Sequence, residues 1–88
     1  MYYVNEKECE RANLDIKKIA SIARRLSKAA KEASDMGITV FGGSGTGSLR
    51  FRESEDKKAL ILAYIDGDVD GGDGACLEDE DGLLRGEC

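Results

Sequence analysis

The fold of this chain is decided at residues 13–41, which read NLDIKKIASIARRLSKAAKEASDMGITVF. Up to Met36 the apolar residues recur every three or four positions, which is the spacing of one face of an α-helix. This stripe comprises Ile16, Ile19, Ala23, Leu26, Ala30 and Ala33. Asn13 is the predicted N-cap, and Gly37 is the predicted residue that ends the helix in the left-handed conformation. The sequence therefore predicts one long helix from Asn13 to Met36, while residues 5–11 either extend it or form a separate first turn.

Beyond the helix the apolar period shortens to two, which is typical of β-strands. Ile38–Phe41 is rich in β-branched and aromatic residues, Ser48–Arg52 alternates apolar and basic residues, and Ala59–Ile65 is the most apolar run. These segments predict a three-stranded antiparallel meander with Ala59–Ile65 as its central strand and Tyr2–Val4 as a candidate fourth, edge strand. The predicted fold is α+β, with one long N-terminal helix packed on a three- to four-stranded antiparallel sheet. The arginines of Ser48–Arg52 are expected on the face opposite the helix.

The glycine-rich stretch Gly42–Ser48 resembles a phosphate-binding loop only superficially. Such a loop needs a lysine after its last glycine and a helix that opens there, so that backbone amides converge on the phosphate. Here Ser48 follows Gly47 directly and the next element is a predicted strand. The stretch is therefore predicted to be a hairpin tip, with a partner-contact loop as the alternative.

The charge of the chain is strongly segregated along the sequence. The first 65 residues carry twelve Lys or Arg against nine Asp or Glu, a net charge of +3. Residues 66–88 carry nine carboxylates against Arg85 alone, a net charge of −8. We expect residues 1–65 to form the body of a single domain and residues 66–88 to form an acidic, Gly/Asp-rich loop or tail, with a short turn or strand near Leu83–Leu84. A carboxylate array of this density binds a hard cation, docks on a basic surface or stays solvated.

The first part of the acidic segment begins like a calcium-binding loop. Asp66, Asp68 and Asp70 stand at alternate positions and are followed by a glycine, as in D-x-D-x-D-G. The twelfth position is Leu77, however, where such a loop has a bidentate Glu, and no helix is predicted on either side. A calcium site of another kind, with Asp73 as a fourth ligand, is the alternative prediction for this segment.

Composition excludes several classes of function. The chain has no His, so no Ser-His or Cys-His nucleophile and no imidazole metal site exists. Cys9, Cys76 and Cys88 form no CxxC pair, and we expect three reduced thiols. No apolar run is long enough to span a bilayer and residues 1–10 do not resemble a signal peptide. We therefore expect a cytoplasmic protein that is not an enzyme, has no cofactor, and binds neither free nucleic acid nor membrane.

The carboxylates of the acidic segment have the spacing of a nucleic-acid backbone. They are predicted to dock on the basic, nucleic-acid-binding surface of a protein partner. The partner-binding set comprises Asp66, Asp68, Asp70, Asp73, Glu78, Asp79, Glu80 and Asp81.

Size, charge and layout together resemble a known group of proteins. A chain of 88 residues that is acidic, lacks His and Pro, and combines one helix with a small sheet resembles the phage-encoded inhibitors of bacterial defence. Anti-CRISPR proteins are the best-known members of this group. The resemblance implies a non-enzymatic inhibitor that acts in the host cytoplasm and blocks the nucleic-acid channel of a CRISPR-Cas complex.

Overall fold

The computed structural model of the protein describes residues 2–43, 45–71 and 74–86. The chain divides into two compact units, one of residues 1–29 with 73–88 and the other of residues 30–72. We call these the helical unit and the sheet unit. Helices and antiparallel sheets occupy separate stretches of the chain, so the α+β class predicted from the sequence is confirmed. Within the described residues, no helix is long and apolar enough to cross a membrane.

The long predicted helix is present, and residues 5–11 do not extend it, so the alternative of a separate first turn is the one that the structure has. Helix α1 covers Glu6–Arg11 and helix α2 covers Ile16–Asp35. The predicted N-cap was wrong, because Asn13 has φ 60° and belongs to the end of α1. The backbone N–H of Asn13 donates to Glu10 O at 3.0 Å, and the following N–H donates to Cys9 O at 3.0 Å. These two bonds form a Schellman motif in which asparagine tolerates the left-handed conformation.

Asp15, the residue before the first residue of α2, acts as the N-cap of this helix. Its Oδ1 accepts a hydrogen bond from the N–H of Lys17 at 3.0 Å, which satisfies a donor of the first turn. The C-terminal prediction is confirmed, since Gly37 has φ 76° and donates to Ser34 O at 3.0 Å. The N–H of Ile38 donates to Ala33 O at 2.8 Å and completes a second Schellman motif. The chain thus leaves α2 in a fixed direction and enters the first strand two residues later.

The sheet unit contains the predicted antiparallel meander, but in a different order. Its strands are β1 (Thr39–Gly43), β2 (Gly45–Phe51) and β3 (Leu60–Val69), arranged β1-β2-β3. The prediction that the apolar run is the central strand was wrong, because β2 pairs on both sides, whereas β3 pairs only with β2 among the strands that the structure describes. No strand forms at Tyr2–Val4, which the structure describes as lacking regular secondary structure.

Strand β3 is longer than predicted and is interrupted by two irregularities. It continues past Ile65 to Val69, so the boundary predicted between body and acidic tail falls inside a strand. Leu62 has no partner on β2, because Leu49 pairs with Ala63 and Arg50 pairs with Ile61. Further along, Gly47 pairs with Ile65 and Gly45 with Val69, which leaves residues 66–68 opposite a single residue of β2. The second bulge therefore carries the first two aspartates of the acidic segment.

Glycines of the hairpin tip allow the end of β3 to approach β2 and β1 closely. A Cβ at Gly47 would lie 2.5 Å from Ile65 Cγ1, and one at Gly42 would lie 2.5 Å from Val69 Cγ1. A Cβ at Gly71 would overlap the carbonyl oxygen of Gly42. Any larger residue at these three positions would have to displace its neighbours, so the glycines are required by packing rather than by a ligand.

The last quarter of the chain is more ordered than the loop or tail that the sequence predicts. Strands β4 (Cys76–Glu78) and β5 (Leu84–Gly86) pair as an antiparallel hairpin, with Leu77 opposite Arg85. The short strand expected near Leu83–Leu84 is thus present as β5.

Candidate functional site

The turn between β4 and β5 is built from the acidic residues themselves. We call residues 79–83 the acidic turn. The N–H of Asp79 donates to Leu83 O and the N–H of Gly82 donates to Asp79 O, each at 2.9 Å. Asp79 Oδ1 accepts from the N–H of Glu80 at 2.8 Å, and Asp81 Oδ1 accepts from the N–H of Leu83 at 3.1 Å. Short side chains that accept from nearby backbone amides stabilise such turns.

Two arginines neutralise the aspartates of the acidic turn. Arg85 Nε lies 2.9 Å from Asp79 Oδ2, and Arg85 Nη2 donates to Asp81 Oδ2 at 2.6 Å. Arg11, the last residue of α1, places its Nη1 3.5 Å from the same Asp81 oxygen. One guanidinium thus bridges both aspartates, and a second lies within ion-pair distance of one of them. Asp79 and Asp81 are therefore engaged inside the helical unit.

This network shifts the ionisation of its two main partners. The hydrogen bond from Arg85 holds the pKa of the Asp81 carboxyl below its ordinary value, against a smaller opposing effect of desolvation. The amide of Leu83 and the charge of Arg11 act in the same direction as Arg85. The bond to Asp81 raises the pKa of Arg85. Both groups are therefore charged throughout the neutral range.

Contacts with α1 hold the acidic turn in the helical unit. Glu8 Oε2 accepts from the N–H of Leu84 at 2.7 Å, and Lys7 Nζ donates to Gly82 O at 3.4 Å. Leu83 is buried, as is Cys9 of α1. An open depression of about 330 Å³ lies beside these contacts. Its lining consists of Glu8, Arg11, Ala12, Leu83, Leu84 and Arg85. Its three charged side chains are already engaged, Glu8 with the N–H of Leu84 and the two arginines with aspartates of the acidic turn, so it offers no converging free polar groups for a ligand.

Four other carboxylates of the acidic segment are exposed and have no ion-pair partner among the described residues. Asp66 and Asp68 lie in the bulge of β3, whereas Glu78 ends β4 and Glu80 lies in the acidic turn. All four are exposed, and none forms an ion pair with another residue in the described ranges. We call them the free carboxylates. Two belong to the sheet unit and two to the helical unit.

The calcium prediction finds no ligand cluster in the part of the chain that the structure describes. Asp66 and Asp68 are strand residues, so they do not follow the tight turn that wraps a calcium ion. No group of three or more Asp, Glu or Cys in described positions lies close enough to hold a metal ion. Asp70 follows β3 and has an interaction of its own, and Asp73 lies outside the described residues. Calcium binding therefore stays a prediction from sequence.

The glycine-rich stretch is the predicted hairpin tip. Strands β1 and β2 pair up to Gly43 and Thr46, and Gly45 has φ 81°. A strand follows the tip, so the helix N-terminus that a phosphate loop requires is missing. The side chains of Val69 and Ile65 occupy the space that a Cβ would need at Gly42 and Gly47, respectively. The stretch therefore lacks the strand-to-helix geometry of a phosphate-binding loop.

The basic residues expected on the open face of the sheet are partly engaged. Arg50 lies over the ring of Phe41, with its guanidinium carbon 4.0 Å from the ring centroid. Its Nε donates to Ser48 Oγ at 3.0 Å, and Ser48 is buried. Arg52 donates from Nη1 to the carbonyl of Lys57 at 3.3 Å. These contacts brace the sheet and its β2–β3 connection.

Comparison with protein-family models, with curated proteins and with solved structures finds no match for this chain. The function is therefore argued from the residues alone. The sequence analysis identified the acidic segment, but it did not predict that Asp79 and Asp81 form ion pairs and hydrogen bonds within the chain. Arg85 was recognised as the single cation of that segment, but the roles of Glu8 and Arg11 depend on contacts between residues 70 or more positions apart.

Proposed function

We propose that this protein is a non-enzymatic inhibitor that docks its free carboxylates on the basic, nucleic-acid-binding surface of a partner protein. The partner class that best suits this activity is a CRISPR-Cas complex or another nucleic-acid-handling complex of bacterial defence, as for anti-CRISPR proteins. The proposal rests on one observation: Asp66, Asp68, Glu78 and Glu80 are exposed, and none of them forms an ion pair with a cation in the described part of the chain. Carboxylates that are already paired have little charge left to offer a partner, whereas unpaired ones attract a basic surface from a distance.

The division of the acidic segment refines the predicted docking set. Asp79 and Asp81 shape the acidic turn and present Glu80 on it, while Glu78 stands at the end of β4. We assign direct docking to the free carboxylates and a positioning role to the two paired aspartates. Asp70 and Asp73 stay members of the predicted set without a structural argument of their own.

The test uses charge reversal at free carboxylates with a matched control. The variant Glu78→Lys/Glu80→Lys changes the net charge as much as Glu53→Lys/Glu55→Lys, in which both residues are exposed in the β2–β3 connection. Binding to immobilised CRISPR effector complexes is measured by interferometry at several salt concentrations, with the complexes empty or loaded with nucleic acid. We expect the first variant to associate about tenfold more slowly and with weaker salt dependence, because steering by complementary charge is lost.

The control separates a local docking surface from overall charge. If Glu53→Lys/Glu55→Lys slows association equally, the net charge of the chain and not the acidic segment is responsible. Equal binding to loaded and empty complexes would contradict docking on the nucleic-acid surface. Failure of the wild-type protein to bind any such complex would remove the partner class.

A further inference from the structure

Strand β3 leaves its outer edge unpaired and its apolar side chains uncovered. In the described sheet unit it is the last strand of the order β1-β2-β3. The exposed fraction is 46% for Leu60, 48% for Ile61, 50% for Leu62 and 73% for Tyr64. A long apolar edge strand of this kind offers a row of backbone donors and acceptors to another strand. Residues 59–65 contain no charge, glycine or proline that would oppose such pairing.

The two ends of this apolar run carry opposite charges. Lys57 and Lys58 precede it, and Asp66 and Asp68 follow it. All four are exposed, and none forms an ion pair with any other described residue. When two copies of one strand pair antiparallel, the start of each lies beside the end of the other. The lysines of one copy then meet the aspartates of its partner at both ends.

We propose that β3 is a homodimerisation edge, at which two copies of this chain pair antiparallel about a two-fold axis. In the register that sets Lys58 opposite Asp66, Leu60 stands opposite Tyr64 and Leu62 stands opposite its own copy. Such an interface is isologous, because each contact occurs twice. It joins the two three-stranded sheets into one sheet of six strands.

A second copy suits this edge better than an unrelated strand does. Along the chain, the run has a basic start, an apolar middle and an acidic end. Two copies of it therefore set opposite charges together only when they run antiparallel. Pairing edge to edge also gives the half-exposed residues of β3 cross-strand neighbours on both faces of the sheet, whereas a partner lying on one face would leave the other uncovered.

The first experiment exploits this complementarity with two charge variants of the full chain. Lys57→Glu/Lys58→Glu makes both ends of the run acidic, and Asp66→Lys/Asp68→Lys makes both ends basic. Each variant alone faces like charge at both contacts, whereas an equimolar mixture of the two restores opposite charges at both. Self-association is measured by sedimentation velocity from micromolar to millimolar concentrations in reducing buffer.

We expect the wild type to dimerise and each variant alone to need a concentration higher by about tenfold or more, because like charges replace the end pairs. The mixture should dimerise like the wild type. A wild type that stays monomeric throughout, or variants that dimerise unchanged, would overturn the proposal. A mixture that fails to associate would do the same, because antiparallel pairing sets opposite charges together at both ends of the mixed dimer.

A second experiment tests the register. Leu62→Cys is placed in a background of Cys76→Ser and Cys88→Ser, and the chain is oxidised. Opposite Cα atoms of an antiparallel pair lie about 4.5–5.5 Å apart, within the range that a disulfide spans. We expect a disulfide-linked dimer from this variant and none from Ser54→Cys in the same background. Equal cross-linking of both variants would contradict the pairing. No partner protein is present in these assays, so their outcome is independent of the proposed inhibitory function. In the dimer Asp66 and Asp68 meet lysines of the second copy, and Glu78 and Glu80 are then the carboxylates left for docking.

Discussion

The acidic turn of the helical unit and the bulge of β3 in the sheet unit contain the same residue type in opposite roles. Asp79 and Asp81 accept backbone amides and pair with Arg85, so they stabilise a hairpin. Asp66 and Asp68 are displaced from the ladder by a bulge and meet no described cation. Local carboxylate density alone therefore does not identify a docking surface. The charge available to a partner depends on which carboxylates lie within reach of an arginine.

The two regions also differ in what fixes their backbone. The end of β3 is held against the hairpin tip by apolar side chains that fill the space above glycines, whereas the acidic turn is held by hydrogen bonds and ion pairs at the surface. Steric packing tolerates little change in volume, while an exposed ion pair contributes little net stability. Substitutions in the sheet unit should therefore have the larger effects.

The largest effect is expected from Gly71→Ala. A Cβ at this position overlaps the carbonyl of Gly42, so the chain after β3 or the hairpin tip must move. We expect the free energy of unfolding to fall by about 1–3 kcal/mol, the usual cost of overpacking. Urea unfolding followed by circular dichroism measures the change.

The matched control is Gly86→Ala on β5. A Cβ there meets no atom within 4 Å, and the residue is not among those with positive φ. Its free energy of unfolding should change by about 0.5 kcal/mol or less, as at unconstrained surface sites. Equal losses for the two variants would show that the contact between Gly71 and Gly42 is not what holds the end of β3.

Local signals in the sequence were sufficient for the class of fold and for much of its course. Gly37 ended α2 as predicted, because the signal for a helix end is local: a glycine that can adopt the left-handed conformation directly follows the helical stripe. Asn13 was misassigned for the same local reason, since asparagine suits both an N-cap and a left-handed C-terminal position. Only the hydrogen bonds that the backbone N–H groups of residues 13 and 14 donate to Glu10 O and Cys9 O show that Asn13 ends α1 and does not begin α2. The apolar run of β3 was taken for a central strand, because composition reports the apolar character of a strand but not whether its second edge is paired.

The sequence was sufficient to locate the candidate site along the chain, but not to predict which of its carboxylates form ion pairs. The count of charged residues along the chain identified residues 66–88 as the acidic segment. In the structure, some of the described carboxylates of this segment form ion pairs and others do not. That division depends on Arg11 and Glu8, which lie at the other end of the chain. No periodicity in the sequence relates positions so far apart, so the internal use of Asp79 and Asp81 could not be deduced.

A smaller effect is expected from Asp81→Asn in the acidic turn. Asparagine keeps an oxygen for the amide of Leu83 but loses the charge that pairs with Arg85 and Arg11. Amide exchange of the β4–β5 hairpin should become severalfold faster, whereas exchange in β2 should not change. Asp68→Asn is the control, because Asp68 makes no described ion pair and should leave both regions unaffected. Acceleration by both variants would mean that lost net charge, and not the Arg85 pair, governs the hairpin.

Acidification should separate the two regions without any substitution. The folded-state pKa of Asp81 is lowered, so its contribution to stability is fully present above the unfolded-state pKa and is lost as pH falls through the folded value. We therefore expect the hairpin to loosen below about pH 4, the ordinary range of a carboxyl group. A two-dimensional amide titration should show the Leu83 resonance moving at a pH below the ordinary pKa of an aspartate, because Arg85 lowers the pKa of Asp81. Movement of this resonance at the ordinary pKa would contradict the assignment of Arg85 to Asp81.

Calcium should have the smallest effect, and it tests whether the free aspartates of β3 act as a metal site. No group of three or more carboxylates among the described residues lies close enough to hold a metal ion, so Asp66 and Asp68 lack the converging oxygen ligands that a hard cation requires. We expect amide resonances of residues 66–71 to drift weakly in millimolar Ca²⁺ without saturation, to the same extent as in Mg²⁺. A saturating shift at about one ion per chain, together with a calcium-dependent rise in melting temperature, would establish the alternative predicted from the D-x-D-x-D-G pattern. In that case Asp66 and Asp68 would be metal ligands, and only Glu78 and Glu80 would be left to dock on the basic surface of a partner protein. The contrast between the paired and the free carboxylates would then be one between a structural ion pair and a metal centre.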